Sequence, residues 1–217
     1  MSPGATGAVA SAATVVAGSV GILGGTFDPI HVGHLAIAEE VREALGLERI
    51  LFVPALHPPH KPGVPLAPAE TRARLVALAI AGNPAFALSR VELDRPGPSY
   101  AADTVEIVAA ATGGGRPTFV LSAEALAGLP AWHEPERLLA ASRLAVVPRA
   151  GSPALDAAWL KGRFPGVAID AVFLDGPSLA VSATAIRARV AAGRSIRYLV
   201  PDAVAAAIAE DRLYRPA

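Results

Sequence analysis

Short apolar runs at residues 19–23, 49–53, 86–91, 118–121, 144–147 and 168–174 punctuate the chain, and each reads as a strand. Between them, residues 35–45, 70–81, 100–111 and 135–140 carry the 3.6-residue period of helices. Runs that are apolar throughout, rather than on alternate residues, are buried on both faces. That requirement points to an α/β fold with a mostly parallel sheet and helices on both faces. In such sheets ligands bind beyond the carboxyl ends of the strands, where the strand order reverses. The 217 residues, 53% of them apolar, suit one domain with a sizeable core, expected over residues 19–217.

Two segments are connections of an unusual kind. Residues 54–68 hold six prolines around His57, Pro58, Pro59, His60 and Lys61, which excludes a helix or an inner strand and leaves a stiff loop. Residues 148–153 follow a strand and carry Arg149, placed to be offered to a ligand. The first eighteen residues are small and mildly apolar, but no Lys or Arg precedes the apolar stretch and Pro3 and Gly4 stand where the charge should be. They read as a disordered extension rather than a secretion signal.

Charge narrows the function. Lys plus Arg equals Asp plus Glu at 19 each, so no global field draws the chain onto nucleic acid or an anionic membrane, and any phosphate binding must be local. No apolar run reaches the ~18 residues that a membrane span needs. Cysteine is absent, which removes disulfides and thiolate metal sites and is compatible with the cytoplasm.

The densest chemistry lies in residues 21–35, Gly-Ile-Leu-Gly-Gly-Thr-Phe-Asp-Pro-Ile-His-Val-Gly-His-Leu. Gly24 and Gly25 end the first strand where the backbone must turn or admit a ligand. Asp28 and Pro29 continue the turn. His31 and His34, three apart at a helix entry with Gly33 between them, can point to one side. Free N–H groups and the dipole at a helix start attract phosphate oxygens, and two imidazoles there add donors. Near the C-terminus, Ser182 is a helix cap, and Thr184 and Arg187 lie on one face of the helix that follows. A rival reading takes His57 and His60 with His31 and His34 as a four-imidazole zinc site, although two prolines on a stiff loop separate the first pair.

Gly-Gly-Thr-Phe-Asp-Pro-x-His-x-Gly-His resembles the first signature of the nucleotidyltransferase superfamily with the His-x-Gly-His motif, and Ser-x-Thr-x-x-Arg resembles its second. Within that superfamily the chain is similar to the bacterial nicotinate mononucleotide adenylyltransferases over residues 20–215. The similarity includes Pro58 to Lys61, residues 92–100, Asp103 and Thr104, residues 129–132 and the Tyr-Leu-Val-Pro at 198–201. The resemblance implies one Rossmann-like domain that transfers the adenylyl group of ATP to nicotinate mononucleotide, with magnesium accompanying the ATP.

It further implies that His31, His34 and Arg187 are catalytic. ATP would lie on Gly24, Gly25, Thr26, Phe27, Gly33, His34, Ser182, Thr184 and Arg187. The mononucleotide would lie on Lys61, Tyr100, Ala101, Trp132 and Arg149, with no metal ligand from protein side chains. The chain departs from the family at Ser122, Glu124, Ala101, Ala150 and Ala183, all close to substrate in the resemblance. Those departures keep two alternatives open: a different acceptor such as nicotinamide mononucleotide or phosphopantetheine, and an idle nucleotide-binding relative.

Overall fold

The computed structural model describes residues 19–58, 66–113, 115–148, 151 and 155–216. Six strands run through them: β1 (Val20–Gly25), β2 (Arg49–Pro54), β3 (Phe86–Leu88), β4 (Thr118–Ser122), β5 (Arg143–Val147) and β6 (Ala171–Phe173). Their order is β3-β2-β1-β4-β5-β6, with every pairing parallel. This is the doubly wound order whose reversal point lies between β1 and β4.

Alternate residues of the strands feed two apolar clusters, which is why the runs look continuous in sequence. Leu23, Ile50, Phe52, Val120, Ala145 and Val147 pack with Val41 and Ala38 of α1 (Val32–Ala44), Leu75 and Val76 of α2 (Ala69–Ile80), Ile186 and Val204. On the opposite face, Ile22, Leu51, Val53, Leu121 and Val146 pack with Val105 of α3 (Ala101–Ala111), Leu126 and Leu138. Gly21 makes this packing possible between β1 and β2, since a Cβ there would lie 2.4 Å from the Ile50 side chain.

Further helices are α4 (Ala123–Gly128), α5 (Pro135–Ala141), α6 (Ala157–Arg163), α7 (Ala183–Ala191) and α8 (Asp202–Glu210). The sequence pattern did not delimit α4, α6 or α8. The first two are only 6 and 7 residues long, and α8 is so rich in alanine that its apolar period is faint. Both edge strands are shorter than their apolar runs. Beyond Leu88 the chain closes a turn, with the Leu93 and Asp94 amides donating to the Arg90 carbonyl, and this turns Glu92 inward. Strand β6 pairs only along Leu144 to Val146. Residues 59–65, which carry Lys61, the residue Arg149 and the N-terminal segment 1–18 lie outside the described residues.

Candidate active site

A cleft of about 800 Å³ opens at the carboxyl ends of β1 and β4, where the topology reverses. Gly24, Gly25, Thr26, Phe27, His31, Gly33 and His34 line it together with Ser182 and Thr184. Tyr100, Ala101 and Trp132 line the same cleft. Sequence elements from both ends of the chain therefore meet in one cavity.

The first signature is folded around its own aromatic rings. Phe27 takes a left-handed φ of 50° and is buried, with His34 edge-on to its ring at 5.0 Å. A Cβ on Gly25 would come within 3.0 Å of the Phe27 ring, so the second glycine is needed for this fold-back. His31 caps α1 in an extended conformation, and its amide donates to Nδ1 of His34 at 3.2 Å. That bond fixes the His34 tautomer: Nδ1 accepts, so the proton of the neutral ring sits on Nε2 as a donor. The two imidazoles stack with centroids 3.7 Å apart.

Gly33 makes the stack possible, because a Cβ there would lie 3.1 Å from Nδ1 of His31. Gly33→Ala separates function from stability. Alanine favours the helix by roughly 0.5–1 kcal/mol, yet it pushes the His31 ring aside, and misplacement of that kind costs about tenfold or more in rate. Unchanged or higher melting temperature with a fall in kcat is expected, and normal kcat would remove His31 from the working geometry.

The free helix start anticipated from sequence is partly occupied. The Val32 amide donates to the Leu199 carbonyl at 3.0 Å. The Tyr-Leu-Val-Pro segment thereby anchors the start of α1, and since the His34 and Leu35 amides donate to the His31 carbonyl, the Gly33 amide and the imidazoles are the donors left to consider for an anion.

Ser182 caps α7, its hydroxyl accepting from the Ala185 amide at 3.2 Å. Arg187 stands one turn on, with Thr184 Oγ1 3.4 Å from its guanidinium. Its other arm donates to the backbone carbonyl of Asp28 at 2.7 Å, so α7 is tied directly to the first signature. Arg187 thus rests against the β1–α1 loop rather than reaching into open solvent.

Tyr100 occupies the N-cap position of α3 and stacks on His133 with centroids 3.9 Å apart. Trp132 meets Phe119 edge-on at 6.4 Å. Ala101 begins α3, where its lost hydroxyl leaves the backbone intact. Ser99 Oγ accepts from the Leu56 and His57 amides at 3.0 and 3.3 Å and so joins the end of β2 to α3. Ser122, a departure from the family pattern, caps α4 by accepting from the Ala125 amide at 3.2 Å. The serine therefore has a local structural role beside the cleft.

Several side chains at or beside the cleft escaped sequence reasoning. Arg72, only 1% exposed, donates to the carbonyls of Thr26, Ala55 and Ala67 and so pins the β1–α1 loop to both ends of the loop between β2 and α2. Burial lowers its pKa, and the neighbouring charge of Asp28 opposes that shift. An arginine in the apolar stripe with Leu75 and Val76 was the available signal. Glu92 is buried against the cleft and accepts from Thr104 Oγ1 at 2.6 Å. Burial raises its carboxyl above the usual range, against hydrogen bonds from Thr104 and Ser99. Asp28, Tyr214 and His133 were likewise unassigned.

Among the described residues no group of three His, Cys, Asp or Glu side chains is arranged to hold a metal ion, and no helix is long and apolar enough to cross a membrane. His60 of the four-imidazole reading lies outside the described residues.

The family model described as cytidylyltransferase-like matches residues 22–189. The "probable nicotinate-nucleotide adenylyltransferase" of Roseiflexus sp. (strain RS-1) is 49% identical over 196 residues, covering 90% of this chain and 98% of that protein. The protein of the same name from Thermus thermophilus is 43% identical, covering 90% and 99%. Among solved structures, "Plasmodium falciparum nicotinic acid mononucleotide adenylyltransferase complexed with NaAD" superposes with a TM-score of 0.75 at 17% identity, over 90% of this chain and 97% of that one. At that identity the likeness is one of fold.

Proposed function

The chain belongs to the nicotinate-nucleotide adenylyltransferases within the cytidylyltransferase-like family, and from that premise we propose how its cleft performs the transfer. The reaction joins ATP and nicotinate mononucleotide into nicotinate adenine dinucleotide and pyrophosphate, a step of NAD biosynthesis. A phosphate oxygen of the mononucleotide attacks the α-phosphorus of ATP in line. The bond from that phosphorus to the bridging oxygen breaks, and pyrophosphate leaves. No protein nucleophile is required, so positioning and charge stabilisation carry the catalysis.

The observation that supports this reading most is the 2.7 Å bond from Arg187 to the Asp28 carbonyl, which brings the two signature segments together at one cleft. There His34, its Nδ1 already accepting and His31 stacked on its ring, is proposed to donate from Nε2 to a phosphate oxygen as charge redistributes. Gly24, Gly25, Thr26 and Phe27 let the nucleotide approach the backbone, and Ser182 and Thr184 present hydroxyls. Trp132 and Tyr100 offer faces to a flat cationic pyridinium ring. The amide at Ala101 suits the ring's carboxylate, and Lys61 and Arg149 are proposed to meet the mononucleotide phosphate.

Imidazoles and hydroxyls at the phosphate end are donors more than hard cation ligands, so magnesium is proposed to travel on the triphosphate oxygens and neutralise their charge. Polyphosphorylated substrates do not cross bilayers unaided, which fits a cytoplasmic site of action.

Pure protein incubated with ATP, magnesium and a panel of mononucleotides tests the reading. Nicotinate mononucleotide should exceed its amide in kcat/KM by roughly tenfold or more, because an amide NH₂ directed at backbone donors leaves buried polar groups unpaired. Comparable values would point to the nicotinamide acceptor. One tightly held zinc per chain would revive the four-histidine site.

A further inference from the structure

We propose that Tyr214 is a positioning residue for the phosphate-binding arginine: by holding the buried carboxylate of Asp28, it keeps that carboxylate from capturing the guanidinium of Arg187. The inference rests on the ATP-binding role given above to Arg187.

Asp28 is 1% exposed, and a carboxylate so placed needs compensation. Its Oδ1 accepts from the Tyr214 hydroxyl at 2.7 Å and from the Ala67 amide at 3.3 Å. Its Oδ2 stands 3.8 Å from the Arg187 guanidinium, an ion pair too long for a hydrogen bond, while the same nitrogen donates to the Asp28 backbone carbonyl at 2.7 Å. The other cation nearby is already engaged, because Arg72 donates to three backbone carbonyls. Tyr214 therefore supplies the shortest bond that the carboxylate receives.

The segment bearing Tyr214 is itself built in. Leu213 and Tyr214 pack against the apolar cluster that contains Phe27 and Leu75. The Leu213 amide donates to the Ile208 carbonyl at 3.1 Å, and Asp211 pairs with Arg74 of α2. Arg212 and Tyr214 both hold left-handed φ values, 52° and 60°, which aim the phenol back at Asp28. Burial, then the bond to Asp28, push the phenol's pKa up, so it remains a proton donor across the working range.

Without the hydroxyl, Oδ1 loses its main partner and the carboxylate turns toward the nearest charged donor. The ion pair with Arg187 tightens, and the guanidinium is withheld from the triphosphate. The acceptor end of the cleft is untouched by this change.

Tyr214→Phe tests it in wild type and in an Arg187→Lys background, by steady-state kinetics and by calorimetric binding of a non-hydrolysable ATP analogue. In wild type the KM and Kd on the ATP side should rise about five- to tenfold, the loss of one hydrogen bond, with the acceptor KM within twofold. In the Arg187→Lys background the same change should add less than twofold, because the residue it acts through is already altered. Asp28→Asn combined with Tyr214→Phe should recover the ATP-side constants of Asp28→Asn alone. A purely structural tyrosine would lower the melting temperature and leave this split unmoved. ATP constants within twofold of wild type, or equal factors in both backgrounds, overturn the inference. Wild type that binds the analogue but forms no dinucleotide overturns the functional reading instead and leaves the binding constants to judge Tyr214.

Discussion

His34→Ala lowers turnover by about 10²- to 10³-fold, the usual cost of removing one preorganised donor to developing transition-state charge. The size follows from how completely the ring is oriented. Its Nδ1 accepts from the His31 amide at 3.2 Å, Phe27 meets it edge-on at 5.0 Å, and His31 stacks on it at 3.7 Å. A group held from three sides cannot swing to another role, so Nε2 costs no reorganisation when charge moves onto the phosphate. Alanine also removes a cap on α1, a loss of about 1 kcal/mol in stability. That is too small to unfold a domain with two apolar clusters on its sheet.

The kinetic loss should therefore appear in a folded protein, with the ATP KM changed far less than kcat. His31→Ala should fall in the same range, since it removes the ring on which His34 rests. Steady-state kinetics beside thermal melts decide the matter. Near-normal kcat in either variant would make the pair a structural stack.

Much of this arrangement was legible in the chain because it is local. The strands announced themselves as runs buried on both faces, and the histidine pair, Gly33 between them and the Ser182 cap are contacts within a few residues. What the sequence hid is long-range pairing of polar groups. Arg72 finds the Thr26 carbonyl 46 residues away, and Tyr214 finds Asp28 at a separation of 186. Arg72 stands out only as an arginine in the apolar stripe of α2 and Tyr214 not at all, and each acquires its role only when the fold delivers a buried partner. Edge strands were overdrawn for a related reason: β3 and β6 each have one neighbour and pair with only part of it, over Ile50 to Phe52 and Leu144 to Val146, because the chain turns away before its apolar run ends.

Arg187→Lys should cost about ten- to hundredfold in kcat/KM for ATP while leaving acceptor choice unchanged. On the proposed role, geometry makes retained charge insufficient. The planar fork of Arg187 reaches the Asp28 carbonyl with one nitrogen and lies 3.4 Å from Thr184 Oγ1 with another. It spans the two signature segments from just outside the cleft lining, and its remaining N–H groups are the donors proposed for phosphate. An ammonium offers a point charge on a flexible stem and cannot serve both ends in one plane. A charge-assisted hydrogen bond is worth about 1.5 to 3 kcal/mol, which sets the expected range.

Arg189 supplies the control within the same helix. Its guanidinium donates to the Ser195 carbonyl at 2.8 Å, an exposed contact that closes the end of α7 away from the cleft. Arg189→Lys should change kcat/KM by less than about twofold, as exposed contacts of this kind contribute little. If both substitutions have the same small effect, Arg187 belongs to a solvated helix face. If Arg187→Lys instead raises the acceptor KM, its guanidinium serves the mononucleotide phosphate rather than ATP.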